Sequence, residues 1–152
     1  MSKKLKLLFY THDCVNSNKL FKTMEKTLVL IKPDAFARNL VGKIMHRFES
    51  KGLKIINMKY WPVTPRTLVE RHYVQDKDRP YFSDNCDFMT SGPIISIIYE
   101  GQDAVSHVRR LQGTRDTPGT IRGDYVTDIR QNLVHASDSQ QNANNEIAIW
   151  FP

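Results

Sequence analysis

Short apolar runs alternate along this chain with segments whose apolar residues recur every three or four positions. Thr27–Ile31 reads as a buried strand that ends at Lys32-Pro33-Asp34. Gly42–Lys51 reads as a helix with Ile44, Met45 and Phe48 on its stripe and Gly52 as its C-cap. Leu53–Trp61 alternates only in part, which predicts a half-covered strand. Thr64-Pro65 then supplies a capping residue and a first-turn proline for a helix with Leu68, Val69 and His72 on one side. After the charged turn Asp76–Pro80, Tyr81–Asp87 predicts a short helix, and Thr90-Ser91-Gly92-Pro93 a break. Ile94–Tyr99 is a strongly apolar strand, and Asp103–Leu111 a helix with Ala104, Val108 and Leu111 inward. Gly113–Gly123 reads as irregular, Asp128–Leu133 as a turn or short helix, and Glu146–Phe151 as the last strand. The order predicts an α+β fold of the ferredoxin-like, split βαβ type: a four-stranded antiparallel sheet with helices on one face.

The 152 residues suit one domain, and a hydrophobic fraction of 40% is ordinary for a soluble fold. The formal charge of +6 changes the picture less than its size suggests. Lys3, Lys4, Lys6, Lys19 and Lys22 stand against Asp13 in residues 1–23, which leaves about +2 on residues 24–152. A nucleic-acid role therefore does not follow from the charge. Residues 1–23 read as a flexible extension or expression remnant, and 24–152 as the functional domain. The run Leu5, Leu7, Leu8, Phe9 is too short for a signal segment or a membrane span. Two cysteines, Cys14 and Cys86, argue against a disulfide scaffold and for a reduced, cytoplasmic setting.

Phosphate-binding signatures based on glycine loops are absent, as are CxxC and HExxH patterns, so any phosphate site must be built from side chains. His135 stands beside Ser137 and Asp138, with Glu146 downstream. A neutral imidazole is a competent nucleophile near neutral pH, and Glu146 and Ser137 could orient it. A surface histidine in a loop is the plain alternative. Lys32 ends an apolar strand, where its ammonium could meet phosphates at the rim or simply reach solvent. Arg109, Arg122 and Arg130 offer planar guanidiniums for phosphoryl oxygens, with Thr114 and Thr120 as hydroxyl donors in the same region. Tyr81 or Phe82 could stack on a base, the other facing the core.

Four segments in order, Thr27–Asp34, Met89–Pro93, Pro118–Asp124 and Asn132–Ser139, resemble the nucleoside diphosphate kinase family over about residues 25–151. The resemblance implies ping-pong transfer of a γ-phosphoryl group from a nucleoside triphosphate to a diphosphate through His135. It implies that Lys32 and Asn132 meet phosphate and the ribose 3′-hydroxyl, and that Arg109, Thr114 and Arg122 clamp phosphate. Tyr73 is similar to the family tyrosine beside the histidine, Glu146 and Ser137 to the residues that position it, and Tyr81 to a stacking phenylalanine. Mg²⁺ is expected to ride on the nucleotide's phosphates with no direct protein ligand. The expected assembly is a homo-oligomer built from dimers, as a hexamer, with no membrane and no obligate nucleic acid.

The chain departs from the family pattern at four places. Ala136 stands where glycine is usual, Asn85 where an apolar residue is usual, Arg130 where glycine is usual, and Gly113–Gly119 is short. A methyl group at Ala136 is tolerated in an extended backbone but strained at positive φ. Asn85 and Arg130 put hydrogen-bonding groups at the base edge, which predicts a preference shifted toward pyrimidine or deoxypyrimidine nucleotides. The short loop offers less area for packing dimers together. Two rival readings remain: an inactive structural member of the same family, and a small nucleic-acid-binding module. The latter would carry paired aromatics on central strands.

Overall fold

The computed structural model describes residues 23–128 and 130–152. The extension expected over 1–23 thus lies outside the described residues, apart from Thr23. In chain order the elements are β1 (Met24–Ile31), α1 (Pro33–Ala37), α2 (Val41–Glu49), β2 (Lys54–Trp61), α3 (Arg66–His72), a 3₁₀ turn (Val74–Asp76) and α4 (Phe82–Thr90). They continue with β3 (Ile94–Gln102), α5 (Ala104–Gln112), α6 (Ile121–Tyr125), β4 (Val134–Ala136) and α7 (Gln140–Trp150). The sheet order is β2-β3-β1-β4, with every neighbouring pair antiparallel. This is the expected α+β, ferredoxin-like arrangement.

Strand alternation assigns the two sheet faces. Val29 and Ile31 of β1, Ile95, Ile97 and Tyr99 of β3, and Val134 and Ala136 of β4 form one core with Ile44 and Phe48 of α2 and Val108 of α5. Ile44 and Phe48 are four residues apart, so both point down from one side of α2. Phe48 meets Tyr99 at 5.1 Å between ring centroids. Each such buried side chain contributes about 1.5–3 kcal/mol. The opposite register, Leu28, Leu30 and Ile94, packs with Leu68 and Val69 of α3, Cys86 and Met89 of α4, and Trp150 of α7. Arg66 bonds Glu70 in its own helix and Asp87 in α4, tying α3 to α4.

Three expectations are corrected. Glu146–Phe151 is not a strand, because it lies largely in α7. Ser139 caps that helix by accepting the Asn142 N–H at 3.1 Å, and Ala143, Glu146 and Trp150 then share a face at helical spacing. The fourth strand is instead Val134–Ala136, too short for its alternation to be read from sequence. Gly113–Gly123 is not wholly irregular: Thr120 accepts the Gly123 N–H at 3.1 Å and opens α6. Finally, β2 is less covered than expected. It is an edge strand with a register shift between Ile55 and Asn57, and Ile56, Met58 and Tyr60 are exposed.

Ala136 has no positive φ and lies in β4 opposite Val29, with its methyl group in the core. Its side chain therefore stabilises the strand. Ala136→Gly should lower unfolding stability by about 0.5–1 kcal/mol, read from urea midpoints. An increase in stability would mean that the position carries backbone strain.

Candidate active site

The site is built on the short strand β4. His135 pairs with Leu30 across from β1, the Lys32 N–H donates to the Leu133 carbonyl at 2.9 Å, and the Ser137 N–H donates to the Leu28 carbonyl at 3.2 Å. Residues 133, 135 and 137 thus spend backbone groups on β1. The intervening Val134 and Ala136 turn their carbonyls to the free edge. There Arg122 donates to the Val134 carbonyl at 2.8 Å, Gln112 to the same oxygen at 3.1 Å, and Arg109 to the Ala136 carbonyl at 3.5 Å. The edge is closed by cations, which both blunts it and fixes two guanidiniums beside the histidine strand.

Alternation also places the His135 and Ser137 side chains on the same face, toward α7. Glu146 Oε2 lies 3.0 Å from His135 Nε2 and accepts the Ser137 hydroxyl at 2.5 Å. With the Nε2 proton held by Glu146, His135 Nδ1 keeps its lone pair. His135 is partly open, with 21% of its side chain exposed, so the ring can be reached from outside. The loop reading of His135 is therefore replaced by a strand position with a carboxylate partner.

Lys32 is not at the rim, because its side chain is buried at 6% exposure and its ammonium donates to Asn132 Oδ1 at 2.8 Å. Burial, followed by the nearby Arg122 cation, pulls its pKa down to about 8, against the opposing pull of Asp34. Arg122 is likewise pushed below the ordinary guanidinium value by burial and by Arg109. Three cations are crowded together, and a polyphosphate would relieve their mutual repulsion. Thr114 bonds Thr117 through its hydroxyl and lines a pocket of about 190 Å³ with Arg122, Asn132 and Asp116. Gly123 of α6 is required beside that loop, since a Cβ would stand 1.8 Å from the Thr117 carbonyl oxygen.

The base-edge residues line one cleft. Tyr81, Asn85, Phe88, Arg130 and Asn132 border a cavity of about 860 Å³. Tyr81 is half exposed, with its hydroxyl on Asp76 at 3.2 Å, while Phe82 packs into the second core. Arg130 is 89% exposed and lies 3.9 Å from Asp128. Tyr73 lines a separate cavity with His135 and Glu146, and burial followed by Glu146 raises its pKa, keeping it a phenol donor.

Three residues of the site were not singled out by sequence reasoning. His72, noted only as one side of α3, stands edge-to-face with His135 at 4.5 Å and accepts the Trp150 indole N–H on Nδ1 at 3.2 Å. Burial, then His135 and Lys32, hold it well below the usual histidine range. Gln112 is buried at a position that a surface helix would leave polar. Asp34 accepts the Leu133 N–H at 3.0 Å. Leu133 is fully buried at φ +69°, and its neighbours close a γ-turn through the Val134 N–H and the Asn132 carbonyl at 2.8 Å. A left-handed leucine costs about 1–2 kcal/mol, and a hydrogen bond to a charged group contributes about 1.5–3 kcal/mol, so the Asp34 contact can hold the strain. None of these signals is visible without the fold.

Among the described residues, His72, His135 and Glu146 form the cluster of potential metal ligands, with their ligating atoms within 4.8 Å of one another. The Trp150 N–H occupies His72 Nδ1, which puts that ring's proton on Nε2 and opposes metal binding there. The set also offers a single oxygen ligand, from Glu146, where Mg²⁺ prefers several. No helix among the described residues is long and apolar enough to cross a membrane.

Comparison with known proteins agrees with this geometry. The family model described as nucleoside diphosphate kinase matches residues 25–152. A nucleoside diphosphate kinase of Acanthamoeba polyphaga mimivirus is 63% identical over 129 residues, covering 85% of this chain and 94% of that relative. A solved nucleoside diphosphate kinase from Aquifex aeolicus superposes with a TM-score of 0.82 at 34% identity, covering 86% of this chain and 96% of that one. A Halobacterium salinarum nucleoside diphosphate kinase in complex with CDP gives a TM-score of 0.80 at 41% identity, covering 85% and 88%.

The buried Lys32 makes two pH dependences testable. Below about pH 8 it is charged in the folded protein, and above that value it loses its proton. Polyphosphate affinity should therefore be flat below about pH 8 and weaken above it, by up to about tenfold per pH unit. Unfolded lysine titrates near 10.5, so between about 8 and 10.5 the unfolded chain binds the extra proton and this group's contribution to stability rises with pH. Calorimetric titration of a nucleoside diphosphate and urea midpoints across this window would read both. Lys32→Met should remove both slopes, and slopes unchanged in that variant would assign them to another group.

Proposed function

The chain belongs to the nucleoside diphosphate kinase family, and we propose that His135 is the residue on which it carries the phosphoryl group. The family transfers phosphoryl groups between nucleotides through a phosphohistidine, and the chain is a phosphotransferase of that kind. The observation that carries the assignment to His135 is its contact with Glu146, which leaves Nδ1 as a partly open nucleophile.

In the forward half-reaction His135 Nδ1 attacks the γ-phosphorus of a nucleoside triphosphate. The N–P bond forms as the bond to the β-phosphate oxygen breaks, and the diphosphate leaves with that electron pair. The second half-reaction runs the same step backward onto another diphosphate. Glu146 holds the Nε2 proton, so no proton transfer is needed at the attacking atom, and Ser137 steadies the carboxylate. Lys32, Arg109 and Arg122 neutralise charge on the equatorial oxygens as it spreads in the transition state. Thr114 adds a hydroxyl donor, and Tyr73 a phenol beside the histidine. Lys32 and Asn132 hold the ribose 3′-hydroxyl.

The phosphate pocket is lined by cationic and hydroxyl groups with a single carboxylate, Asp116, which pairs with Arg115 at 3.5 Å. That donor set fits a Mg²⁺ ion held by the nucleotide's own phosphates, where it would screen their charge.

Tyr81, Asn85 and Arg130 form the base slot. A pyrimidine leaves room at its mouth for Arg130 to reach the O2 carbonyl, directly or through water. The preference is thereby shifted toward pyrimidine or deoxypyrimidine diphosphates. Residues 24–152 form the catalytic domain, the free Cys86 thiol suits a cytoplasmic setting, and the exposed residues of β2 suit a partner copy in a dimer-based hexamer. Sedimentation would read that assembly, with a dimer as the outcome against the hexamer.

Labelled phosphate from ATP·Mg²⁺ should enter the wild-type protein as an acid-labile, base-stable adduct and leave on chase with CDP or GDP. His135→Ala should take no label while keeping its fold. A label that persists in that variant would move the phosphoryl carrier elsewhere.

The double variant Asn85→Leu, Arg130→Gly should lower the ratio of kcat/KM for CDP and TDP over GDP by about 2–10-fold, the range of a hydrogen bond contributing a net of about 0.5–1.4 kcal/mol. An unchanged ratio would show that these side chains do not read the base.

A further inference from the structure

We propose that Asp34 is a positioning residue: its carboxylate clamps the γ-turn at Leu133 and so sets Asn132 and His135 in register on either side of it. The turn is tied at both of its backbone groups to one three-residue segment. The Leu133 N–H donates to Asp34 Oδ2 at 3.0 Å, and the Leu133 carbonyl accepts the Lys32 N–H at 2.9 Å. Pro33 between them has no N–H to compete. Lys32 also reaches past the turn to Asn132 Oδ1 at 2.8 Å.

The backbone at Leu133 is the reason a clamp is needed. A buried leucine at φ +69° would relax toward an ordinary conformation if released. Relaxation would reverse the turn, swing Asn132 away from Lys32 and shift the start of β4, two residues before His135. Asp34 is itself 94% buried, at 6% exposure, and burial raises its pKa. A carboxylate kept in such surroundings marks a position where its acceptor is needed. Asp34 touches no reacting atom in this reading. It acts through Leu133 on residues that do.

The nucleotide readout rests on the assignment of Asn132 to the ribose 3′-hydroxyl, whereas the amide readout does not. Two variants separate placement from mere stability. Asp34→Ala removes the acceptor, and Asp34→Asn keeps a carbonyl of the same shape. In Asp34→Ala the Leu133 amide should exchange at least about tenfold faster with solvent deuterium. With phosphoenzyme preloaded from ATP·Mg²⁺, transfer to dTDP should fall about 10–100-fold. Transfer to the 3′-deoxy analogue of TDP, which already lacks the group Asn132 meets, should fall less, so the ratio between the two acceptors shrinks. Asp34→Asn should recover most of the rate and the ratio, with the Leu133 amide proton shifted upfield by the lost charge.

Equal losses for both acceptors would overturn the proposal, as would an unchanged Leu133 amide resonance in Asp34→Asn. That second measurement decides the matter even if the alanine variant does not fold. Failure of the wild-type protein to take up phosphate would break the phosphotransfer reading instead, and would be seen before any variant is made.

Discussion

Everything at this site depends on a three-residue strand holding to the centre of the sheet. β4 pairs with β1 through alternate residues only, and this alternation divides its backbone between two tasks. The inner groups at Leu133, His135 and Ser137 fix the strand to β1, while the outer carbonyls of Val134 and Ala136 anchor Arg122, Gln112 and Arg109. The side chains divide in the same way. Val134 and Ala136 join the core, and His135 and Ser137 face α7. A one-residue slip would bury the histidine and unseat both arginines together. The imidazole of His135 and the two guanidiniums are thus placed by one register, not separately.

That register concentrates positive charge at a cost the fold accepts. Lys32 is buried, and Arg122 sits close enough to both Lys32 and Arg109 for their repulsion to lower proton affinity. Such an arrangement is unfavourable in the free protein and favourable once a polyanion enters, so part of the binding energy is stored as relieved repulsion. Because the guanidiniums are already tied to strand carbonyls, little reorganisation would be needed in the proposed clamp.

The sequence made the outline legible where physical signals were local and long enough. β1 and β3 are continuous apolar runs, α2 and α5 carry clear stripes, and together these define the sheet and its principal face. Four segments in family order carry Lys32, Arg122, Asn132 and His135, and the resemblance they establish extends to Arg109. What escaped was short or non-local. β4 has three residues, so its alternation could not be counted, and its place was given to Glu146–Phe151, whose apolar density imitates a strand. The polar run Gln140–Asn145 concealed the first half of α7, although Ser139 was a usable cap signal. The roles of Asp34 and His72 rest on contacts with residues 99 and 63 positions away, Leu133 and His135, and no window along the chain contains both partners. The burial of Lys32 was missed for the same reason: the rim expected from its position after a strand is covered by Asn132, brought in from the far end of the chain.

The helix hidden by its polarity decides which of two adjacent imidazoles can react. Glu146 and Trp150 lie one turn apart on one face of α7, and each meets a different histidine. The carboxylate of Glu146 can only accept, so it fixes the His135 proton on Nε2 and frees Nδ1. The indole of Trp150 can only donate, so it takes up the lone pair of His72 Nδ1 and leaves the proton of that ring on Nε2. Two rings 4.5 Å apart are thereby given opposite capacities by hydrogen bonds of opposite sense. His135 retains an unshared nitrogen pair, and His72 retains none. Burial adds to this by keeping His72 neutral, so His135 does not have an imidazolium against its face. Trp150 is itself completely buried and meets Trp61 edge-on at 5.7 Å, which pins the end of α7 to the core. The selectivity between the two histidines is therefore set by core packing at the last turn of the helix, carried four residues back to Glu146.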